Sequence, residues 1–208
     1  MKGLVKIVAI VTTVFFGISP AAFAANASQS FPINASVDGT LTLSVSLFRN
    51  TATGPGAAIT ALNFGRLQEF VQPAGRTLRS SDTGPSALMG AGVALISANS
   101  HGLPYVIKQT GTPLASGGNS IPSGACVVVP VYSPADNGGA ALVGSLGTRG
   151  SWVATDKVLY TSDAAGSIRQ IQAIYSITDD PAAGATAAVP TSQAAGSYSA
   201  TVTFTVTA

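Results

Sequence analysis

The stretch GSYSATVTFTVTA, residues 196–208, indicates the fold class of this chain. Its apolar and hydroxyl side chains alternate strictly, and successive side chains of a β-strand point to opposite faces of the sheet. The stretch therefore predicts a half-buried strand with one apolar and one hydroxyl face. The apolar set is Tyr198, Ala200, Val202, Phe204 and Val206, and the hydroxyl set is Ser199, Thr201, Thr203, Thr205 and Thr207. We expect a partner from earlier in the chain, or from another molecule, to cover the far edge of this strand.

The first residues have the pattern of a signal peptide. Lys2 and Lys6 precede the apolar run 8–18, and Ala22-Phe23-Ala24 follows as a small-residue cleavage site. The run is too short for a transmembrane helix. We therefore expect cleavage before Ala25, export through the periplasm to the cell surface or the medium, and no membrane span in the mature protein.

The charge of the predicted mature chain is balanced. Without Lys2 and Lys6, eight of the ten Lys and Arg residues remain, against eight Asp and Glu. This gives no electrostatic reason to expect nucleic acid as a partner. Only 9% of the whole chain is charged, whereas soluble domains typically carry about 25%. A neutral surface rich in Ser, Thr, Gly and Ala favours an inert or assembling protein.

The chain as a whole, with this terminal strand, reads as about eight or nine short strands separated by Gly, Pro and Asn turns, with no amphipathic helix. Residues 31–47 alternate around Asp38-Gly39, as one interrupted strand or two. The candidate strands at 91–97 and 103–109 flank His101-Gly102 and are expected to form a hairpin. The apolar run 125–132 is expected to be buried on both faces. These features predict one all-β antiparallel sandwich domain over residues 39–208.

Groups suited to catalysis or metal binding are scarce. The single histidine, His101, falls in a predicted surface turn, and no Gly-x-Ser-x-Gly motif accompanies it. Asp136-Asn137 and Asp179-Asp180 could donate oxygens to calcium, but turns explain them equally well. Cys126 lies in an apolar run and is expected to be a buried thiol. We expect no enzymatic activity, no metal and no cofactor.

The aromatic residues leave two interpretations open. They could line a glycan site or fill the core, and their alternating strand positions favour the core. The residues concerned are Tyr105, Tyr132, Trp152, Tyr160, Tyr175 and Tyr198.

Three local features together resemble secreted bacterial pilins of the chaperone-usher class, in particular the archaic type and the related spore-coat-U-like domains. They are the alternating segment FPINASVDG at 31–39, the sequence LNFG at 62–65, and the ending VP…AAGSYSATVT at 189–203. The lone Cys126 departs from pilins that carry an intradomain disulfide. The region 68–151 carries no part of the resemblance.

The resemblance implies an immunoglobulin-like sandwich that lacks one strand, which is completed in trans. A periplasmic chaperone, and then the N-terminal extension of the next subunit, would fill the groove, with an outer-membrane usher as assembly partner. Residues 25–38 would be that extension, inserting Phe31, Ile33, Ala35 and Val37. The apolar side chains of residues 198–206 would form the acceptor strand. Head-to-tail exchange of this kind generates a fibre.

Two alternatives to the fibre subunit remain. The N-terminal segment could pair in cis and complete a closed sandwich. Such a closed domain could bind a glycan or a surface protein, and it would then carry an exposed aromatic patch around Trp152.

Overall fold

The computed structural model describes residues 26–30, 36–37, 41–51, 54–72, 75–80 and 92–208. The predicted signal peptide, residues 1–24, lies outside these ranges. Across the described residues the regular elements are β-strands and three short 3-10 turns. The prediction of an all-β antiparallel sandwich is confirmed.

The strands are numbered in chain order. They are β1 (Asn26–Ser30), β2 (Ser36–Val37), β3 (Leu41–Thr51), β4 (Gly54–Ala58), β5 (Ala61–Gln72), β6 (Gly75–Ser80), β7 (Gly92–Asn99), β8 (Val106–Gly111), β9 (Ala115–Ser116), β10 (Asn119–Ser120), β11 (Cys126–Tyr132), β12 (Ser145–Leu146), β13 (Gly150–Ser151), β14 (Lys157–Thr161), β15 (Gln170–Ile177), β16 (Val189–Pro190) and β17 (Tyr198–Thr207). The 3-10 turns are η1 (Ser123–Ala125), η2 (Ala135–Asn137) and η3 (Pro181–Ala183).

Two sheets form the sandwich. The first runs in the order β12-β14-β8-β17-β1-β5-β6-β16, with β9 and β10 attached beside β17. The second runs β13-β11-β15-β7-β3-β2, with β4 attached to β3. Most pairs are antiparallel, and β1 with β17 is the parallel exception among the described strands.

The main core lies between the sheets and follows from alternation along the strands. In β3, residues 41, 43, 45 and 47 are buried while residues 42, 44 and 46 are exposed. These side chains pack against the apolar face of β17 and against aromatic residues of both sheets. The alternation of apolar and polar residues along the strands therefore accounts for the core, as the sequence predicted.

A second, smaller apolar cluster lies on the outer face of the second sheet. Val127, Val129 and Ile174 contact Ala183 and Ala185, which lie in and just after η3. Cys126 and Val128 belong instead to the main core. The strand β11 is thus buried on both faces, as its uninterrupted apolar run predicted.

Two local predictions need correction. The candidate strands at 91–97 and 103–109 do not form a hairpin, because β7 lies in the second sheet and β8 in the first. Residues 100–105 cross between the sheets. The region 49–60 has the Gly, Pro, Thr and Ala composition that is typical of a loop, yet it contains the end of β3 and the strand β4. Of the alternatives around Gly39, two separate strands are observed, since β2 pairs antiparallel with β3.

Candidate functional site: the slot filled by the N-terminal strand

The predicted acceptor strand is β17, and its apolar side chains all face the core. Tyr198, Ala200, Val202, Phe204 and Val206 are buried, whereas four of the five hydroxyl residues between and after them are exposed. The prediction of a half-buried strand is confirmed. On one side β17 pairs with β8 over residues 202–207.

On its other side β17 pairs with β1, the strand at the predicted mature N-terminus. Ala27, Ser28, Gln29 and Ser30 are aligned in parallel with residues 198–201. The opposite edge of β1 pairs antiparallel with β5, where Ser30 is aligned with Ala61 and Asn26 with Arg66. The N-terminal strand therefore occupies an interior position and joins β17 to β5. We call the space between β17 and β5 the slot.

The second wall of the slot is β5, and its apolar residues are fully buried. Leu62 and Phe64 have no exposed surface. Leu62 lies over Gly92 of the second sheet, where an added Cβ would overlap the Leu62 side chain. Phe64 stacks on Trp152 with ring centroids 5.1 Å apart and an interplanar angle of 17°. These contacts hold the wall in the core independently of β1.

A bulge sets the register between β1 and β5. The alignment shifts between Asn26 and Ser28, opposite the turn in β5 that contains Gly65. Gly65 has a φ of 63°, and its N–H donates to the Asn63 side-chain oxygen over 2.8 Å. A glycine in the left-handed region with an extra residue on one strand is the geometry of a β-bulge.

A buried polar pair lies next to Trp152, the ring on which Phe64 stacks, since the ring centroids of Trp152 and Tyr175 are 5.8 Å apart. The Tyr175 hydroxyl donates to Oε1 of Gln109, and both side chains are fully buried. The Gln109 amide donates to the Trp152 carbonyl over 3.5 Å. Burial raises the pKa of Tyr175 well above its ordinary value. The pair is neutral at physiological pH and joins β8 of the first sheet to β15 of the second.

The four residues predicted to be inserted are not brought together with β17 by the described part of the chain. Phe31, Ile33 and Ala35 lie outside the described residues. Val37 belongs to β2 and is aligned with Leu41 in the second sheet. The residues that lie beside β17 are instead Asn26–Ser30, just before the predicted donor positions. This five-residue segment lacks apolar alternation, and no sequence signal marked it as a strand.

The β5 wall is a strand, as the alternation at residues 61–67 predicts, but no sequence signal placed it beside the N-terminal strand. The sequence LNFG at 62–65 lies in the first part of β5. Its alternating Leu62 and Phe64, with polar Asn63 between them, is the signal that identifies it as a core strand.

The other candidate residues have structural roles. His101 is exposed in a turn, and its backbone N–H donates to the Asn99 side chain. Asp180 caps η3 by accepting from the N–H of Ala182. Asp136 accepts a hydrogen bond from Gln172 over 2.6 Å, and Asp179 accepts one from Thr77 over 2.6 Å. Within the described ranges no group of three or more His, Cys, Asp or Glu residues could hold a metal ion.

Cys126 and five of the six candidate aromatic residues are buried, as the sequence favoured. Burial raises the pKa of the Cys126 thiol to about 12, so the thiol is protonated at neutral pH. Tyr105, Trp152, Tyr160, Tyr175 and Tyr198 are all at most 2% exposed. Tyr132 is half-buried and donates to the Ala140 carbonyl. The aromatic patch that a glycan platform would require does not form from these six residues.

No helix in the described part of the chain is long and apolar enough to span a membrane. Comparisons of the chain with protein-family models, with curated proteins and with solved structures found no match.

Proposed function

We propose that this protein is a structural subunit of a surface fibre that assembles by exchange of its N-terminal strand. One observation carries the proposal: β1 completes the interior of a sheet, between the C-terminal strand and β5, although it belongs to the predicted mature terminus. A terminal strand in an interior position can be supplied by the same chain or by another copy, because the backbone hydrogen bonds are the same.

The walls of the slot support the proposal. Both β17 and β5 are anchored by strands other than β1, through β8 on one side and through β6 and the stack of Phe64 on Trp152 on the other. Such walls can persist when the strand leaves. An empty slot would expose unpaired backbone groups on two strands. The proposal therefore includes a periplasmic chaperone that covers the slot before assembly and an outer-membrane usher that guides it.

The exported location and the immunoglobulin-like topology belong to the same proposal. The balanced charge and the Ser- and Thr-rich exposed face of β17 fit a protein that assembles with copies of itself. In this account the side chains Phe31, Ile33, Ala35 and Val37 extend the inserted strand beyond Ser30 when it enters another copy.

The test is deletion of residues 25–38 from the exported chain. We expect the shortened protein to lose the fibres or oligomers that the full mature chain forms, as measured by negative-stain microscopy and analytical ultracentrifugation. As a control, Gly118→Ala in the turn between β9 and β10 should leave assembly unchanged, because an added Cβ there meets no neighbour within 4 Å. Oligomers that persist after the 25–38 deletion would overturn the proposal.

A further inference from the structure

Three connections between the sheets form one end of the sandwich, which we call the tip. They are residues 100–105, 137–143 and 162–169. Val106 is aligned with Thr207, so the C-terminal end of β17 lies here. Asn99 is aligned with Thr42, so β3 also begins here, next to β2.

The tip carries exposed apolar side chains. Leu103 and Ile168 are each 53% exposed, and Leu142 is 38% exposed. The remaining exposed large apolar side chains of the described residues are Val71, at the far end of β5, and Val158, on the side of the first sheet. Exposed apolar groups concentrated on one end of a domain favour a protein contact there.

The tip is held together by hydrogen bonds between its three connections. The Tyr105 hydroxyl donates to the Ser167 carbonyl over 3.1 Å, and the Arg169 Nε donates to the Ala141 carbonyl over 3.2 Å. Asp163 accepts from both the N–H and the hydroxyl of Ser167, at 2.7 and 2.8 Å. The exposed apolar side chains therefore lie on connections that are fixed to one another by hydrogen bonds.

The N-terminal strand also points to the tip. Because β1 is parallel to β17, the chain runs from Asn26 to Ser30 in the direction of Thr207. The following described residues, Ser36 and Val37, already lie at the tip beside Leu41 and Thr42. The chain therefore leaves the slot at the tip, and it joins its own second sheet through β2 at the same end.

The connection is short enough to fix the geometry of an exchanged pair. Six residue steps separate Ser30 from Ser36, which span at most about 20 Å. Six steps along β17, from Thr201 to Thr207, also cover about 20 Å. Suppose that β2 stays on its own domain while β1 fills the slot of a second copy. The short connection between the two strands then requires the tips of the two copies to lie directly against each other.

We propose that exchange of β1 in the direction seen in the monomer produces a closed, two-fold dimer joined tip to tip through Leu103, Leu142 and Ile168. In this arrangement each tip faces the tip of the other copy, which is the end at which β1 leaves its slot. Each copy therefore fills the slot of the other, and the assembly closes at two copies. The inference rests on the proposed exchange of β1. A growing fibre, in which Phe31, Ile33, Ala35 and Val37 enter the next copy, instead requires β2 to leave its own domain.

The test combines two cysteine-bearing versions of the mature chain. One carries Ser28→Cys and the other Ser199→Cys, two positions that are aligned in neighbouring strands. The chains are refolded together and treated with a short thiol cross-linker, and products are sized by chromatography and denaturing gels. Only exchanged strands bring the two cysteines of different chains together. Chains that retain only the buried Cys126 serve as the background control.

We expect a cross-linked product of two chains that elutes as a discrete dimer. Adding Leu103→Asp and Ile168→Asp should lower the dimer fraction at least about tenfold, because the contact would bury unpaired carboxylates. The matched variant Val71→Asp, at the other end of the molecule, should leave the fraction unchanged.

Cross-linked chains found only in long polymers, at a yield unaffected by the tip substitutions, would contradict the dimer while leaving strand exchange intact. Absence of any cross-link between different chains would instead contradict strand exchange itself.

Discussion

Ser30 of the N-terminal strand is aligned in parallel with Thr201 of the C-terminal strand, and it is aligned with Ala61 on its other side. The first strand of the chain and the last are therefore neighbours inside one sheet. This relationship makes an interior strand out of a terminal segment.

Proline at position 28 should weaken the slot. Ser28 is central in β1, with strands on both sides, and proline removes its N–H from the ladder. Loss of one buried hydrogen bond costs on the order of 1–3 kcal/mol of unfolding free energy. Urea denaturation of Ser28→Pro measures this, and Ser28→Ala, which keeps the N–H, is the control. Equal stability of the two variants would show that β1 is not paired on both edges.

Gly166→Ala should lower the free energy of unfolding more than Gly117→Ala does. Both glycines have positive φ angles, 60° and 56°. An added Cβ at Gly117 meets nothing within 4 Å, whereas at Gly166 it would overlap the Leu103 carbonyl. We expect about 1–2 kcal/mol of lost stability from backbone strain at either site, and about 1–3 kcal/mol more from overlap at Gly166. Thermal melts that give the same loss for both variants would argue against the packed tip.

Removal of the Tyr175 hydroxyl should destabilise the core. Tyr175→Phe takes the donor from buried Oε1 of Gln109, which costs about 1–3 kcal/mol. The control Tyr132→Phe removes a half-buried hydroxyl that donates to Ala140 and should cost less. Replacing both partners, Gln109→Leu with Tyr175→Phe, should bring stability back toward the native value. A Tyr175→Phe variant as stable as the native protein would rule out this buried hydrogen bond.

Stability should fall at alkaline pH. Burial raises the pKa of Cys126 from an unfolded value of 9.0 to about 12, and that of Tyr160 to about 12 as well. The folded chain holds these protons more tightly than the unfolded chain. Their contribution is therefore complete below about pH 9 and is lost as the pH rises toward 12.

The slope from the thiol alone is about 1.4 kcal/mol per pH unit. Urea denaturation between pH 7 and 11 measures it, and Cys126→Ala should flatten the slope above pH 9. An unchanged slope in that variant would mean that the thiol is not buried in the folded protein.

Much of the fold follows from period-two patterning. The alternation in residues 198–207 identified a half-buried strand, and the uninterrupted apolar run at 126–129 identified a strand buried on both faces. Both depend on which face each side chain takes, which the local sequence specifies.

Strand adjacency was predicted less well. The segments around His101 resemble a hairpin, yet the six residues 100–105 carry the chain from one sheet to the other. A turn signal indicates that the chain reverses direction, but it does not state which sheet receives the next strand. That choice depends on packing across the whole sandwich.

The candidate site was predicted in part. The buried apolar face of β17 was identified, because its pattern is strong. The strand beside them, Asn26–Ser30, has small and polar residues, and its position comes from backbone pairing on two edges instead of apolar alternation. Backbone pairing is nearly independent of side-chain type, so sequence patterns could not reveal it.

The most direct test of the central claim, that the slot accepts an N-terminal strand from outside the domain, is peptide binding to a shortened chain. A protein beginning at residue 39 would be mixed with a synthetic peptide of residues 25–37, and binding measured by isothermal titration calorimetry together with the gain in thermal stability. We expect one peptide to bind per chain and to raise the melting temperature, while the peptide with Ser28→Pro binds far more weakly. A folded, stable shortened protein that binds neither peptide would contradict the account.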